Sequence, residues 1–379
     1  MSANKKILLI ILDGLADRPS KQLDGQTPLE AAHTPNLDKF AELSINGLLH
    51  PLTPGIPMPT DVAHYLLFGY PIEHRPGRAV FEATGYGVPF SDDEVLCSTS
   101  FALVVEEKEA LVIAKRRGLG LTPQEGKALC EAVAHFEHKG IQFELIYTAK
   151  HFGILKMRGA VSDRITDSDP FYSKLPVVAV QPLDECEEAK RTAEALNEYL
   201  RWTYRMLKAA GPQPQKVNIL LTKWPSRKRP LISFYEKYGM RGLSISAKAL
   251  LNGLAKYLGM DHQNSEKLNS SGEESLKITL PYAIRALEQY DFVHLHDTRL
   301  DAISHKKDPK AKAQLIEQID AELEVLLKSL REDWVVAITS DHATPSTIGV
   351  GKAMHAGEPV PIAIWGINVL KDGVKRFSE

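Results

Sequence analysis

The chain has 379 residues, of which 44% are hydrophobic and 25% are charged, with a formal net charge of −2 at pH 7. The length suggests two domains of roughly 100 to 200 residues each, and the hydrophobic content allows a large buried core. The intermixed, nearly balanced charge creates no field that would attract nucleic acid or an anionic membrane, so neither is an expected partner.

The three cysteines, Cys97, Cys130 and Cys186, are isolated in the sequence and odd in number. This pattern argues against a disulfide framework and against a thiolate metal site, and it predicts a reducing, cytoplasmic location. The apolar run at residues 7–12 is too short to span a bilayer and ends at Asp13. We therefore expect neither export nor membrane anchoring.

The first predicted elements are a buried strand in KKILLIILDG and a helix in TPNLDKFAEL. A short apolar run that ends at a turn signal is typical of a strand in a parallel sheet. Further along, Pro57 and Pro59 exclude a helix over residues 57–59. The segment TDVAHYLLFG that follows them predicts a helix with Thr60 at the N-cap position. Thr60 is either a cap alone or a residue that also acts as a nucleophile.

Between about residues 92 and 232 the pattern changes to shorter strands among helices. The strands are predicted in FALVVEE, ALVIAK, FELIYT, FGILKMRG and VNILLT, and the helices in PQEGKALCEAVAHFEHKG and CEEAKRTAEALNEYLRWTYRMLKAAG. We interpret this stretch as a substrate-binding, lid-like domain at residues 92–232, inserted into a catalytic core domain of residues 1–91 and 233–379.

In the last third of the chain, apolar runs predict strands at 290–297, 334–342 and 360–366, and an amphipathic helix at 310–330. Strand, helix and strand in this order imply a right-handed parallel unit, and therefore an α/β sheet with helices on both faces. Ligands of such sheets bind outside the carboxyl ends of the strands. Asp13, the region from His294 to Asp301, and Asp341 are expected to converge there.

Ionisable residues recur behind these strands. Asp301 and His305 are four apart in DAISH, Asp341 and His342 are adjacent in TSDHATP, and His355 lies in KAMHAGEPVP. Singly, an aspartate after a strand is often a cap, and a loop histidine is usually a surface residue. Together, carboxylates and imidazoles suit Zn²⁺ or Mn²⁺, and two such ions about 3.5 to 4 Å apart stabilise a phosphoryl displacement.

Eight segments, taken in order, resemble the archaeal-type cofactor-independent phosphoglycerate mutases of the alkaline phosphatase superfamily. They are ILDGLADRP, GQTPLEAAHTPNLDKFAE, PTDVAHYLLFGY, GRAVFEATGYGV, SDRITDSDP, SFYEKYGMRGLSISAKALLNGLAKYLGM, TSDHATP and HAGEPVP. The resemblance covers nearly the whole chain, and SDHATP is among its most specific parts. It implies an alkaline-phosphatase-like parallel sheet core with helices on both faces and an inserted α/β or α+β lid domain.

The resemblance also implies two divalent metal ions, Mn²⁺, Zn²⁺ or Co²⁺, and no use of 2,3-bisphosphoglycerate. One ion would be held by Asp301, His305 and His355, and the other by Asp13, Asp341, His342 and the nucleophile at Thr60. Where the family looks like Gly-Ser-Asp, this chain has Pro-Thr-Asp. A hydroxyl at a helix N-terminus meets the positive end of the helix dipole, which favours an alkoxide and an incoming phosphate.

Substrate contacts are implied at Arg78, and at Asp163, Arg164 and Asp167 of SDRITDSDP. Lys256 is a further candidate because its helix could direct it into the cleft.

Other cationic positions depart from the family. Gly120 stands at an arginine's place, with Arg116 and Arg117 nearby, and His151-Phe152 replaces a His-Arg pair. A third segment reads KWPS, where the candidate substitutes for an arginine are Lys223, Arg227, Lys228 and Arg229. Because arginine binds carboxylate and phosphate bidentately, these changes should weaken phosphoglycerate binding.

Three predictions concern residues near the site. His64, one turn after Thr60, is expected to be packed or exposed rather than part of the site. At most one of His294 and His296 is expected to face the site, and Arg299 is expected close to the metal segment.

The favoured function is therefore metal-dependent phosphoryl transfer on a small phosphorylated metabolite, through phospho-Thr60. The most specific hypothesis is the glycolytic interconversion of 3-phosphoglycerate and 2-phosphoglycerate. One alternative is a phosphatase, or a phosphotransferase similar to homoserine-kinase-like relatives, with another substrate. An alternative of another class is an inactive metal-binding protein with a regulatory role. The sequence predicts no particular oligomeric state.

Overall fold

The computed structural model describes residues 5–210, 216–347 and 355–379. The chain packs as two compact units, which we call unit 1 (Met1–His74 and Leu231–Glu379) and unit 2 (Arg75–Pro230). The sequence places the first boundary after residue 91, whereas the structure places it after residue 74. The difference arises because the helix Arg78–Tyr86 packs against strands of unit 2.

The secondary structure alternates along the chain as follows. The strands of the described residues are β1 (Lys6–Leu12), β2 (Ile45–Leu49), β3 (Val95–Glu107), β4 (Ala110–Lys115), β5 (His135–His138), β6 (Ile141–Ala149), β7 (Phe152–Arg158), β8 (Ile219–Arg227), β9 (Gly242–Ile245), β10 (Asp261–Gln263), β11 (Phe292–Asp297), β12 (Trp334–Thr339) and β13 (Val360–Gly366). The helices are α1 (Pro28–Ala31), α2 (Pro35–Glu42), α3 (Thr60–Leu67), α4 (Arg78–Tyr86), α5 (Pro123–Ala132), α6 (Glu187–Ala210), α7 (Phe234–Tyr238), α8 (Ala249–Tyr257), α9 (Leu276–Ala286), α10 (Arg299–Ser304), α11 (Pro309–Glu322) and α12 (Glu324–Ser329).

Within the described residues, unit 1 is built on a seven-stranded sheet in the order β10-β9-β11-β1-β12-β13-β2. The strands from β10 to β12 run parallel to their neighbours, whereas β13 is antiparallel to both β12 and β2. The predicted α/β fold class is confirmed. The sheet is mixed near one edge, where β13, formed by the apolar run predicted at 360–366, lies between β12 and the edge strand β2.

The central position of β1 in the sheet explains why its sequence is a continuous apolar run. Leu8, Ile10 and Leu12 belong to one hydrophobic cluster with residues of β11, β12 and the surrounding helices. Leu9 and Ile11, which point to the opposite face, are also buried. A strand buried on both faces has no polar alternation, because packed elements cover each face of the sheet.

The register of the central strands brings their carboxyl ends to one edge. Leu12 is paired with Asp297 of β11, and Ile11 is paired with Thr339 of β12. The loops that follow these three strands therefore begin side by side. This edge of unit 1 is where the sequence predicts a ligand site.

Unit 2 contains an antiparallel sheet in the order β4-β3-β7-β6-β5, with β8 also paired to β3. Helix α6 packs its apolar face on this sheet, with Leu196 and Tyr199 fully buried. The inserted domain is thus of the α+β type among the two types expected.

Two predicted helices differ from the structure. The helix predicted over 123–140 ends at Ala132, and β5 then pairs with β6. Lys139 and Gly140 both have positive φ, the geometry of a two-residue hairpin turn. The helix predicted over 310–330 is divided into α11 and α12 at Leu323. None of the helices in the described ranges has the length and apolar composition needed to cross a bilayer.

Candidate functional site

Acidic and imidazole side chains converge at the carboxyl edge of the unit 1 sheet. Asp13 follows β1, and Asp341 and His342 follow β12, so the parallel register brings them together. One donor atom from each of the three lies within 4.8 Å of the others, and all three side chains are buried. We call these residues the first donor group.

A second donor group consists of Asp301, His342 and His355. Asp301 lies in α10, behind β11, and His305 follows one turn later with its Nε2 atom 3.3 Å from Asp301 Oδ1. The His355 Nε2 atom is 3.7 Å from the same oxygen, and the His342 and His355 rings stack with centroids 3.7 Å apart. The structure thus brings the six predicted aspartate and histidine ligands into one connected cluster.

Thr60 lies at the edge of this cluster, with its Oγ1 atom 3.4 Å from His342 Nε2. The prediction that Thr60 is the N-cap is wrong, because Pro59 occupies the cap position and Thr60 is the first helical residue of α3. Its side-chain oxygen contacts the His342 ring. The hydroxyl therefore faces the acidic cluster instead of serving the helix.

Two carboxylate oxygens in the cluster are left without a hydrogen-bond donor. Asp341 Oδ1 accepts from the backbone N–H groups of Gly14 and His342, but Asp341 Oδ2 and Asp13 Oδ1 have no hydrogen-bond partner among the described residues. His342 Nε2 lies 3.1 Å from the first and 3.3 Å from the second. Buried, unpaired carboxylate oxygens are costly, and oxygen and nitrogen donors in this arrangement fit a divalent metal ion.

His355 is held in the form that can donate an electron pair. Its Nδ1 atom lies 2.9 Å from the Met58 carbonyl, which can only accept, so Nδ1 carries the proton and Nε2 does not. Burial and the nearby His342 lower the pKa of His355 to about 4. The ring is therefore neutral near pH 7, with Nε2 directed toward Asp301.

The cluster is strongly polarised by the charges around it. Burial alone would raise the pKa of Asp13, but Lys248, His296 and His342 lower it well below its ordinary value. Burial alone would lower the pKa of His342, but the carboxylates of Asp341, Asp13 and Asp301 raise it. Asp13 is therefore ionised at neutral pH, and it attracts positive charge.

Lys248 was not predicted, yet its Nζ atom donates to Asp13 Oδ2 at 2.5 Å. Lys256, the lysine that was predicted, is exposed in the last turn of the same helix, about 12 Å farther along at 1.5 Å per residue. Lys248 follows the short strand β9, whose four residues give a weak apolar signal. Recognition of β9 would have pointed to Lys248 by the same carboxyl-end rule that identified Asp13.

Three buried histidines pack behind the cluster. The His64 ring centroid lies 5.0 Å from that of His294 and 4.9 Å from that of His296. Both strand histidines lie on one face of β11, because residues two apart share a face of a strand. His296 contacts the cluster, with its Nε2 atom 3.1 Å from Asp13 Oδ2, whereas His294 packs on His64 and Phe68. His64 is packed, as expected, but it also contacts the site, since its Nδ1 atom lies 2.8 Å from the Thr60 carbonyl.

Arg299 does not contribute a free cation to the cluster. Its guanidinium donates to both carboxylate oxygens of Asp297 and to Glu322. This network anchors the end of β11 to the helices that follow, and it therefore supports the placement of Asp301.

The predicted substrate residues of unit 2 lie in different surroundings. Arg78 donates to Glu82 at 2.8 Å, and its guanidinium carbon lies 4.2 Å from the centroid of the Trp224 ring. Asp163 instead pairs with Arg229, 3.2 Å away, and Arg164 has a 60% exposed side chain whose Nε lies 3.6 Å from Asp184.

A buried charged cluster near Trp224 includes the predicted cation Lys223 and the predicted Asp167. Lys223 Nζ is 3.6 Å from Asp169 Oδ2, and Arg116 also pairs with Asp169. Trp224 has a positive φ of 56°, and its backbone N–H donates to Asp167 at 2.6 Å. Burial raises the pKa of Asp167 to about 6. Sequence patterns did not indicate Arg116 and Asp169 as a pair, because loops distant in sequence bring them together.

Comparison with known proteins agrees with this geometry. The chain matches the Metalloenzyme superfamily over residues 5–378. It is 39% identical to the 2,3-bisphosphoglycerate-independent phosphoglycerate mutase 2 of Methanocaldococcus jannaschii, over 99% of this chain and 88% of the relative. It is 35% identical to the 2,3-bisphosphoglycerate-independent phosphoglycerate mutase of Methanopyrus kandleri, over 99% of this chain and 91% of the relative.

Solved structures show the same relationship. A protein from Pyrococcus horikoshii superposes with a TM-score of 0.76 at 31% identity, over 99% of this chain and 91% of the other. The cofactor-independent phosphoglycerate mutase of Thermoplasma acidophilum gives a TM-score of 0.64 at 30% identity, over 99% of this chain and 93% of the other. The chain therefore belongs to the Metalloenzyme superfamily and, within it, to the family of 2,3-bisphosphoglycerate-independent phosphoglycerate mutases.

Proposed function

We propose that this enzyme interconverts 3-phosphoglycerate and 2-phosphoglycerate by metal-dependent phosphoryl transfer through phospho-Thr60. One observation carries the proposal. The Thr60 hydroxyl adjoins His342 at the edge of a buried cluster in which two carboxylate oxygens have no hydrogen-bond partner among the described residues.

Two divalent metal ions, Mn²⁺, Zn²⁺ or Co²⁺, fit the donors of this cluster. One would be held by Asp301, His305 and His355, and the other by Asp13, Asp341, His342 and Thr60. His342 belongs to both donor groups, and its short distances to Asp13 and Asp341 support its assignment to the ion that those two aspartates would hold. When bound, the ions would lower the pKa of the Thr60 hydroxyl and neutralise charge on the transferred group.

The residues of the chain supply the remaining parts of the reaction. The Thr60 hydroxyl gives up its proton and its oxygen forms a bond to phosphorus, while the bond from phosphorus to the glycerate oxygen breaks and that oxygen takes up a proton. In the second step the other hydroxyl of glycerate gives up its proton as it attacks phospho-Thr60, the bond from phosphorus to the Thr60 oxygen breaks, and that oxygen takes up a proton. The N-terminus of α3 favours the negative charge of the phosphoryl group throughout.

Unit 2 is proposed to contribute substrate contacts, with Arg78 as the first candidate. Asp163 and Arg164 are weaker candidates, because each is engaged by a partner within the unit. Lys256 is replaced in this proposal by Lys248, which contacts Asp13.

A second function is favoured by the pairing of the cations. Arg78 is bound to Glu82, Lys223 and Arg116 lie on Asp169, and Arg299 of unit 1 is bound to Asp297 and Glu322. Cations that are already neutralised bind a substrate carboxylate less strongly. This observation supports a phosphatase or phosphotransferase that acts on a less anionic phosphomonoester.

The deciding experiment incubates metal-loaded protein with 3-phosphoglycerate and measures both 2-phosphoglycerate and free phosphate. Isomerisation without phosphate release supports the mutase, and phosphate release without isomerisation supports a phosphatase. Inertness toward 3-phosphoglycerate with turnover of other phosphomonoesters supports the second function. Inertness toward all of them would leave an inactive metal-binding protein.

Two variants at the nucleophile position test the mechanism. Thr60→Ala should form no phosphoenzyme, whereas Thr60→Ser should retain it. The free energy of unfolding should change by less than the ~1 kcal/mol that a lost N-cap costs, because Pro59 and not Thr60 occupies the cap position. Full turnover by Thr60→Ala would refute the covalent mechanism.

A further inference from the structure

Thr344 lies between the two donor groups and touches a member of each. Its Oγ1 atom is 3.1 Å from His342 Nδ1 and 3.0 Å from Asp301 Oδ1. The threonine is fully buried, and it lies two residues after His342. One hydroxyl therefore joins a residue proposed for one metal site to a residue proposed for the other.

The chemistry of the three groups fixes the direction of both hydrogen bonds. An ionised carboxylate can only accept, so the Thr344 hydroxyl donates its single hydrogen to Asp301. The hydroxyl oxygen must then accept from His342, which places a proton on Nδ1. In the neutral ring this leaves the Nε2 lone pair directed toward Asp13 and Asp341, where a metal ion fits.

The backbone of Thr344 is held firmly on both sides. Its N–H donates to the Ala16 carbonyl at 3.0 Å, and its carbonyl accepts from Lys312 at 3.1 Å. Lys312 is fully buried and also donates to the Gly14 carbonyl and to Asp17. The loops behind β1 and β12 are thus tied together at this threonine.

Gly14 keeps the space around the hydroxyl open. A Cβ atom at this position would lie 2.7 Å from Thr344 Oγ1 and 3.0 Å from the Cα of Asp301, and Gly14 has a φ of +70°. Both the close approach and the positive φ require glycine. The Thr344 hydroxyl therefore lies close to the Gly14 backbone, at a position that any larger residue at 14 would obstruct.

We propose that Thr344 is a positioning residue that couples the two metal sites by orienting His342 for one and Asp301 for the other. The inference rests on the proposed two-metal function. Outer partners of metal ligands fix the tautomer and orientation of the ligand, and their loss typically weakens metal binding by about 10- to 100-fold. Since one hydroxyl serves both ligands, its removal should weaken both sites.

The test measures Mn²⁺ binding to metal-free protein by titration calorimetry. Thr344→Val preserves the shape of the side chain and removes the hydroxyl. It should lower the affinity for both ions by about 10- to 100-fold. Thr344→Ser, which restores the hydroxyl, should bind both ions within about threefold of the parent affinities. Thr344→Ala is measured in parallel, because it removes the hydroxyl without placing a methyl group against Asp301, and it should match Thr344→Val.

A matched control is available at the end of β12, five residues before Thr344. Thr339 is equally buried, but its hydroxyl donates to the Pro361 carbonyl rather than to a proposed ligand. Thr339→Val should leave both affinities unchanged. Unfolding midpoints recorded in chelator establish that each variant is folded, and Co²⁺ absorption spectra should change for Thr344→Val and recover for Thr344→Ser.

The outcomes separate the inference from the function on which it rests. If the parent protein binds fewer than two ions, the proposed metal centre fails, and the inference fails with it. If the parent binds two ions and Thr344→Val binds them equally well, only the positioning role is overturned. Weakening of a single site, or failure of Thr344→Ser to recover, would also overturn the coupling.

Discussion

The two units bury charge in opposite ways. In unit 1, the buried polar atoms without a partner among the described residues include two acceptors, Asp13 Oδ1 and Asp341 Oδ2. In unit 2, over the same described ranges, they include donors, the Nε atoms of Arg116 and Arg227. Unpaired anionic acceptors call for a cation, and unpaired donors call for a ligand that bears acceptors. Whether an unpaired buried atom is a donor or an acceptor indicates the charge of the ligand that fits it, whereas the extent of burial alone does not.

The largest effect on turnover should come from removing the charge of a carboxylate with an unpaired oxygen in unit 1. Asp341→Asn keeps the oxygen that accepts from the Gly14 and His342 backbone, but it replaces the unpaired oxygen by an amide. We expect turnover to fall about 1,000-fold, equivalent to ~4 kcal/mol of lost transition-state stabilisation. Metal analysis should show one bound ion instead of two.

Asp320→Asn is the matched control for that variant. Asp320 is also a buried aspartate of unit 1, but its oxygens accept from the backbone of Asn36 and Leu37 at the start of α2. It should lower the unfolding midpoint and leave the ion count at two. An equal loss of metal in both variants would show that general destabilisation explains the first result.

The next effect tests which lysine of helix α8 belongs to the site. Lys248→Met should lower kcat by about 10- to 100-fold, because a hydrogen bond between charged groups is worth about 1.5 to 3 kcal/mol. Lys256→Met, on the exposed turn of the same helix, should leave kcat within about twofold. Steady-state rates at saturating substrate provide the measurement. The reverse order of effects would favour the lysine predicted from the sequence.

A smaller effect is expected on the donor side, in unit 2. Arg78→Lys loses both the planar contact with Trp224 and the Nε donor to Glu82, so KM should rise about tenfold with little change in kcat. Arg164→Lys is the control, because that side chain is mostly exposed and should tolerate the change within about twofold. A matching rise in KM for Arg164→Lys would place the substrate contact elsewhere in unit 2.

The smallest effect concerns stability and pH. Asp167 has a pKa of about 6 in the fold, above the ordinary value near 3.9, so protonation stabilises the fold and this contribution is lost as pH rises through 6. Asp167→Asn keeps an acceptor for the Trp224 N–H without the charge. The free energy of unfolding should therefore rise by about 1 to 2 kcal/mol at pH 8 and stay unchanged at pH 4.

Denaturant unfolding at the two pH values provides that measurement. A gain at pH 4 equal to the gain at pH 8 would mean that the charge of Asp167 is not the cause. A loss at pH 8 would mean that the ionised carboxylate is stabilised by its surroundings.

The sequence was sufficient where a single strand carries the signal. Asp13 and Asp341 end continuous apolar runs, so their position at the carboxyl edge of a parallel sheet followed from strand identity alone. Lys248 was missed because β9 is too short to produce such a run. His294 and His296 are two residues apart in β11, so the strand period alone places them on one face of the sheet.

The structure was required where the arrangement depends on pairing between distant segments. Arg116 and Asp169 are 53 residues apart, and Trp224 meets Arg78 through the packing of α4 on β8. The antiparallel placement of β13 between β12 and the edge strand β2 likewise depends on pairing between distant segments. Composition and periodicity describe each segment by itself, and so they do not contain these pairings.

The start of helix α3 has a consequence for how this site can change. Pro59, rather than Thr60, occupies the cap, so the start of the helix does not depend on the Thr60 hydroxyl. The side chain at position 60 is thereby free of the capping role, and we expect serine to replace threonine there without a change in the surrounding backbone. Chemical diversification and structural integrity are assigned to two adjacent residues, which makes this position a natural starting point for laboratory evolution of new transfer reactions.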